Sequence, residues 1–203
     1  MKNKIEIIAE IGVNHNGSLK KAKMLIDKAK EAGADYVKFQ YFKSKLLSTN
    51  YAKKADYQFQ QTKDKETQLE MLTKYELDLK DLKKLKDYSS KKKIKFLVSA
   101  FDEETLIDLK KLKLKTYKVP SGEITNIPYL KLLGSFKKKI ILSTGMANYK
   151  EITHAVKTLI KNGTKRNALC LLQCTSNYPT KISDVNLSVI KKLKKKYRTK
   201  VGF

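Results

Sequence analysis

The sequence predicts an α/β protein built on a parallel sheet, and three observations carry that reading. Short, largely apolar runs rich in β-branched residues recur at Ile5–Ile11, Tyr36–Phe39, Ile94–Val98, Thr116–Val119, Lys139–Leu142, Ala168–Leu172 and Lys200–Phe203. Runs of this length, apolar on both sides, suit strands buried on both faces. Their starts lie roughly 20–30 residues apart, with one interval of about 60, which is the room a strand-plus-crossover-helix unit needs. Amphipathic helical patterns fill the intervals, and strict alternation of this kind is the signature of an α/β fold. The count is six complete βα units and the start of a seventh strand. Either an open doubly wound sheet or a (β/α)8 TIM barrel fits, and a closed barrel takes about 250 residues. A barrel is therefore incomplete in 203 residues.

Each helix has its own start and stop signals. Ser18 is placed to cap Leu19–Ala32, whose Ala22, Leu25, Ile26 and Ala29 share one face before Gly33. Glu66–Lys74 and Asp78–Ser90 fill the long interval. Asp102 opens Glu103–Leu112, with Leu106, Leu109 and Leu112 facing inward. Asn126 opens Ile127–Phe136, with Pro128 at a tolerated early position. Asn148 caps Tyr149–Asn162 ahead of Gly163, and Asn186–Lys196 is the last helix. Residues from about Phe42 to Lys65 read as a long polar loop, a feature that is uncommon in compact domains and usually functional. There is no linker, low-complexity tract or second domain.

Composition excludes several classes. Apolar residues make up 41% of the chain, which rules out wholesale disorder. No apolar run approaches the ~18 residues of a membrane span. Met1–Lys4 followed by a run broken at Glu6 and Glu10 makes a poor secretory signal. Two cysteines are too few for a disulfide scaffold, so a reduced, cytoplasmic protein is expected. The net charge is +25, yet Arg occurs only at Arg166 and Arg198, so 43 of the 45 basic residues are Lys. Readers of nucleic acid lean on Arg for bidentate contacts, and a functional stripe is localised. Here Lys is scattered, which favours a general Lys bias over a polyanion-binding module, although the positive field suits a small anionic substrate.

Ligands in such folds bind at the carboxyl ends of the strands. Read in order, those ends carry Glu10, then Asn14-His15-Asn16-Gly17; Lys38-Phe39-Gln40; Ser99; Lys118 and Ser121-Gly122-Glu123; Ser143-Thr144-Gly145; and Gln173-Cys174-Thr175-Ser176 followed by Tyr178. Two lysines near serine hydroxyls suit a phosphate or carboxylate, and a carboxylate beside them suits proton transfer or water orientation. Taken singly, each residue has a plainer reading. Alone, Lys38 reads as a snorkelling surface lysine, and Ser121-Gly122 as a turn. His15 is equally a loop histidine. Cys170 and Cys174, four apart on one strand, face one way as inert packing, and two cysteines are short of a zinc site. Glu10 is harder to set aside, because a carboxylate buried in an apolar strand needs a partner.

At these strand ends the sequence resembles the sialic acid synthase family, the phosphoenolpyruvate-dependent nonulosonate synthases. The matching stretches are Ala9–Ser18, Val37–Gln40, Lys118–Glu123, Ile140–Met146 and Cys174–Thr180. Each motif is weak alone, but five in order along the chain are specific. The resemblance implies a TIM barrel that condenses phosphoenolpyruvate with the open-chain form of an N-acetylated hexose, either N-acetylmannosamine or a 2,4-diacetamido-trideoxy hexose. It implies that Lys38, Ser99, Lys118 and Ser121 hold the phosphoenolpyruvate phosphate and carboxylate, with Ser176 as a further contact. Gln40 and Tyr178 then contact the amino sugar, and Glu10 and Glu123 sit near the reacting carbons and water. It also implies a divalent metal, manganese or magnesium, acting as a Lewis acid, and a homodimer for the full-length protein. Membrane and nucleic-acid partners are not expected.

There are departures. Val98-Ser99-Ala100-Phe101 replaces the family's usual Ser-Thr-Pro-Phe but keeps a hydroxyl, and Gln173 replaces a frequent His. The family's two metal-binding histidines and its antifreeze-like C-terminal domain follow the stretch matched by Val201-Gly202-Phe203, and His15 and His154 do not replace those ligands. The 203-residue form is accordingly expected to bind no such metal and to be weakly active or inactive, whether it stems from a natural truncation or a cut record. A Schiff-base aldolase or lyase using Lys38 or Lys118 is the other enzymatic reading, and a non-catalytic polyanion-binding fragment is the third.

Overall fold

Apolar runs that cannot face water become strands here, and the helices between them cover those strands. The structure is a computed structural model that describes residues 5–54 and 66–203. The chain divides into two units, Met1–Ser99 and Ala100–Phe203.

The first unit holds β1 (Ile8–Gly12), α1 (Leu19–Glu31), β2 (Tyr36–Tyr41), α2 (Ser44–Leu47), α3 (Gln68–Tyr75), α4 (Leu79–Lys91) and β3 (Lys95–Ala100, which closes just across the boundary). β1 pairs parallel with β2, bringing Glu10 opposite Lys38. The pairing then slips, so that Gly12 sits opposite Phe39. Gly12 takes φ +54°, a left-handed conformation that glycine adopts without a Cβ clash. Bulges of this type re-aim side chains and cluster near functional sites. Ser18 caps α1 by accepting from the Lys21 N–H, and Thr67 and Glu70 form a reciprocal capping box on α3. α1 and α4 pack together, with the Tyr88 hydroxyl donating to Asp27 at 2.8 Å and Lys92 pairing with the same carboxylate at 2.7 Å. Those contacts hold the Asp27 carboxyl below its usual range, the Lys92 hydrogen bond being the largest cause.

The second unit holds β4 (Thr116–Val119), β5 (Lys139–Ser143), β6 (Leu169–Leu172) and β7 (Lys200–Gly202). Its helices are α5 (Glu103–Lys111), α6 (Ile127–Ser135), α7 (Tyr149–Lys161) and α8 (Ser188–Tyr197). β4 to β7 pair in chain order, all parallel. Asp102, Asn126 and Asn148 cap α5, α6 and α7 through their side-chain oxygens, as expected. Gly134 lets α6 approach α7: a Cβ there would lie 2.8 Å from Asn162 Cβ and 3.0 Å from the Leu159 carbonyl. Tyr129 is fully buried on α6 and its hydroxyl donates to the Ala100 carbonyl at 3.2 Å. Leu142, Leu159, Leu169 and Leu171 are fully buried in the same unit.

Two sequence expectations change. The stretch from Phe42 to Lys65 is not wholly loop. Ser44–Leu47 makes a helical turn whose Ser44 hydroxyl bonds Thr73 Oγ1 at 2.9 Å, while residues 55–65 lie outside the described residues. Cys170 lies on β6 but Cys174 lies beyond its end, so the two thiols do not share a strand. The signal-peptide reading falls partly on residues 1–4, which also lie outside the described residues. None of the described helices is long and apolar enough to cross a membrane.

Candidate functional site: two strand-end clusters

Parallel pairing sets the first cluster. Residues in register on neighbouring strands point the same way, so Glu10 on β1 and Lys38 on β2 meet, Nζ to Oε2 at 2.6 Å. Lys38 also reaches the buried Ser99 hydroxyl at the end of β3, at 3.5 Å. Only 13% of the Lys38 side chain is exposed. The surface-lysine reading is therefore wrong: the lysine is turned into the strand ends by a carboxylate and a hydroxyl. Glu10, expected to be buried, is instead about half exposed, with 48% of its side chain open to solvent. The bulge after Glu10 carries its carboxylate to the edge of the strand, where Lys38 and water both reach it. Gln40 belongs to the same cluster, since a Cβ built on Gly12 would lie 3.1 Å from Glu10 Oε1 and 3.6 Å from Gln40 Nε2. His15, in the turn after β1, is fully buried rather than a solvated loop residue. Its Nδ1 accepts from the Gly17 N–H at 3.0 Å, and burial pushes its pKa below the ordinary value.

The second cluster centres on Lys118. Lys118 pairs with Ile141 in the β4–β5 register, and Ser143, two residues on, faces the same way. Lys118 is only 7% exposed. Its ammonium donates to Ser143 Oγ at 2.6 Å and to the Val119 carbonyl at 2.8 Å. Ser143 also accepts from the Cys174 thiol at 3.3 Å. With both lone pairs occupied by donors, the Ser143 hydroxyl has its own proton left to donate. Gly145 marks where the remaining hydroxyls gather: a Cβ there would lie 2.7 Å from Ser176 Oγ and 3.0 Å from Ser121 Oγ. Glu123 ends the short 3-10 turn Ser121–Glu123 and accepts from the Asn126 side chain at 2.8 Å. Burial raises the Glu123 carboxyl above the usual range; Asp102 and Glu103 add to the rise, and the Asn126 hydrogen bond opposes it. Tyr178 is 71% exposed, so its ring is open to a ligand.

The structure thus joins Glu10, Lys38, Gln40 and Ser99 in one unit, and Lys118, Ser121 and Ser176 in the other, with Glu123 beside Ser121. Ser143 and Cys174 are the members that sequence reasoning did not place in the site. Ser143 stood in the strand-end series, and its spacing from Ile141 would have found it once the register was known. Among the described residues, no three His, Cys, Asp or Glu side chains gather as a metal site. These side chains do not fit the divalent metal that the resemblance implies, and none of the roles assigned below passes through a metal.

Comparison with known structures gives the class first. The fold matches an N-acetylneuraminic acid (sialic acid) synthetase from Leptospira borgpetersenii with a TM-score of 0.84 at 34% identity, over 99% of this chain and 65% of that one. A spore coat polysaccharide biosynthesis protein from Bacillus subtilis matches with a TM-score of 0.82 at 31% identity, over 100% of this chain and 53% of that one. The fold is therefore an incomplete TIM barrel, not an open doubly wound sheet, and its strand ends carry lysines set against hydroxyls. The model of the NeuB family matches residues 25–203, and the chain belongs to that family. It is 51% identical over 197 residues to an N,N'-diacetyllegionaminic acid synthase of Campylobacter jejuni, covering 97% of this chain and 59% of that protein. It is 43% identical to the enzyme of the same name from Legionella pneumophila, covering 97% of this chain and 56% of that protein. The chain thus spans less than two thirds of the length of these curated relatives.

Proposed function

We propose that this chain carries the phosphoenolpyruvate-holding strand ends of a nonulosonate synthase. Such an enzyme joins phosphoenolpyruvate to an N-acetylated hexose and releases phosphate. The observation that carries the reading is the buried Lys118, bonded to Ser143 at 2.6 Å among the strand-end hydroxyls, in a chain of the NeuB family. An ammonium held at a buried position attracts an incoming anion more strongly than one in water does.

Lys38, Ser99, Lys118 and Ser121 are assigned to the phosphate and carboxylate of phosphoenolpyruvate, with Ser176 as a further donor. Gln40 and Tyr178 are assigned to the amino sugar. In the reaction, C3 of the enol attacks the sugar aldehyde carbon, water adds to C2, and phosphate leaves by cleavage of its bond from oxygen to C2. The attacking water gives up one proton as it adds, balancing the one gained by the aldehyde oxygen, and the C2 hydroxyl it forms passes the second to the departing phosphate as the C2 carbonyl forms. Glu123, whose carboxyl holds its proton more tightly than usual, is assigned to proton exchange with that water. Glu10, positioned by Lys38, is assigned to the reacting carbons. The two relatives named for N,N'-diacetyllegionaminic acid support a 2,4-diacetamido-trideoxy hexose over N-acetylmannosamine. A cytoplasmic setting and a homodimer complete the proposal, and sedimentation of the protein tests the latter.

The direct test is calorimetric titration of the protein with phosphoenolpyruvate, beside Lys118→Met and Lys38→Met. Binding that Lys118→Met weakens by about tenfold or more supports the proposal, a charged hydrogen bond being worth roughly that much. Equal binding by both variants and the parent overturns it. Borohydride trapping of a carbonyl substrate on Lys38 or Lys118 would favour the Schiff-base alternative, since the condensation forms no imine.

A further inference from the structure

A cavity of about 320 Å³ opens between α7 and α8, lined by Tyr149, Lys150, Thr153, His154 and Lys157 of α7 and Lys196 of α8. None of these is a strand-end residue. Three are lysines, two bear hydroxyls, one is a histidine, and no carboxylate lines the cavity. Lys150, Thr153, His154 and Lys157 follow helical spacing, so they share one face of α7.

What sets the arrangement apart from lysines spread over a helix is that three of them line one cavity to which no carboxylate contributes. On other helices some lysines are matched by neighbouring carboxylates: Lys28 with Glu31, Lys84 with Asp81 and Lys111 with Asp108. Lys150, Lys157 and Lys196 form no such ion pair among the described residues. The nearby Glu151 turns its carboxylate to the Asn148 N–H at 2.7 Å, as a helix cap. Lys150 stands in the first turn of α7, where the helix macrodipole disfavours a cation. An anion in the cavity would relieve both that conflict and the mutual repulsion of the lysines.

The floor is already fixed. Thr153 Oγ1 donates to the Tyr149 carbonyl at 2.7 Å and lies 2.9 Å from the Tyr197 hydroxyl, which also reaches that carbonyl at 3.2 Å. Tyr197 is 4% exposed. Lys196 Nζ sits 4.9 Å from the Tyr149 ring centre, a cation–π distance that holds the ammonium at the cavity edge.

We propose that this cavity binds a small phosphorylated ligand carrying two or more negative charges. Lysines act as point charges suited to a multiply charged phosphate, whereas a lone carboxylate is better matched by an arginine fork. The volume lies at the small end of small-molecule sites, which run from about 300 to 1,000 Å³, and the half-exposed Tyr149 ring offers an apolar wall for the organic part.

The test is an NMR titration of the protein with inorganic pyrophosphate. Saturable shifts confined to residues 149–157 and Lys196 are expected. Each of Lys150→Gln, Lys157→Gln and Lys196→Gln weakens binding by about tenfold, with the helical circular-dichroism signal and phosphoenolpyruvate binding unchanged. Repeating the titration in Lys38→Met/Lys118→Met separates this site from the strand ends: the cavity response persists there even if the functional proposal fails. Shifts scattered over the lysine surface, or full affinity in the triple Gln variant, overturn the inference. So does a single-stranded oligonucleotide that binds the same residues far more tightly than pyrophosphate, because the face would then serve a polyanion.

Discussion

The two units hold their strand-end lysines in opposite ways. In the first, Lys38 lies against the Glu10 carboxylate, and that carboxylate is open to water. In the second, Lys118 is sealed from solvent and bonds to Ser143 and the Val119 carbonyl. An ion pair with a wet partner is weakly held and readily rearranged. Beside a buried ammonium, low local polarity strengthens the attraction for any anion brought near it. The difference teaches that equal residue types at equivalent strand positions need not be held alike; under the proposed function, Lys118 anchors the anion while Lys38 exchanges one partner for another.

That contrast can be broken in order of expected effect. Lys118→Met removes the buried charge and should weaken phosphoenolpyruvate binding more than Lys38→Met does, measured by calorimetry. Equal losses would erase the distinction. Gly145→Ala comes next. Its Cβ would lie within 3.0 Å of both the Ser176 and Ser121 hydroxyls and 3.3 Å from Cys174 Cβ, so both hydroxyls must move; ligand affinity should fall by about tenfold, a larger effect than the change in thermal stability. Gly12→Ala should do the reverse. At φ +54° its cost appears as lost stability of about 1 kcal/mol, read from denaturant unfolding.

Glu10→Gln frees Lys38 from its carboxylate and should tighten phosphoenolpyruvate binding by a few-fold, the Coulomb interaction near a surface being of that order. Weaker binding would show that the ion pair positions Lys38 instead of competing with the ligand. The smallest effect concerns Glu123. Its folded pKa lies above the ordinary value, so the native state binds the proton more tightly than the unfolded chain does. Its contribution to stability therefore falls as pH rises from the unfolded pKa through the folded one. Relative to wild type, Glu123→Gln should gain melting temperature above that window and gain less below it. A pH-independent difference would mean that the Asn126 hydrogen bond cancels the desolvation, and a dependence of opposite sign would mean that it outweighs it.

Much of this was legible from residues alone. The capping residues Ser18, Asp78, Asp102, Asn126 and Asn148 start their helices where the sequence placed them, because a cap is a contact across three residues. Thr116–Val119 forms a strand with the expected bounds. The exposure of Glu10 was not legible, because it depends on a bulge that shifts register by one residue, and nothing local announces where a partner strand slips. The burial of Lys38 and His15 was missed for a related reason: neighbours from Ser99 and Phe39 decide it, and these lie far along the chain. Ser143 and Cys174 were read as a strand end and a packing thiol, while their link to Lys118 exists only through the β4–β5 and β5–β6 registers.

The sequence by itself determined the alternation of strands and helices, the caps, and the series of polar residues at the strand ends, all of which follow from periodicity and short-range hydrogen bonding. Tertiary structure alone decided which of two similar lysines is sealed and which is paired with a carboxylate. It also decided which hydroxyl supports the sealed lysine, and where three lysines gather without a counter-ion. Burial and electrostatics at a point sum contributions from strands and helices distant in sequence, and only the packed chain brings those contributions together.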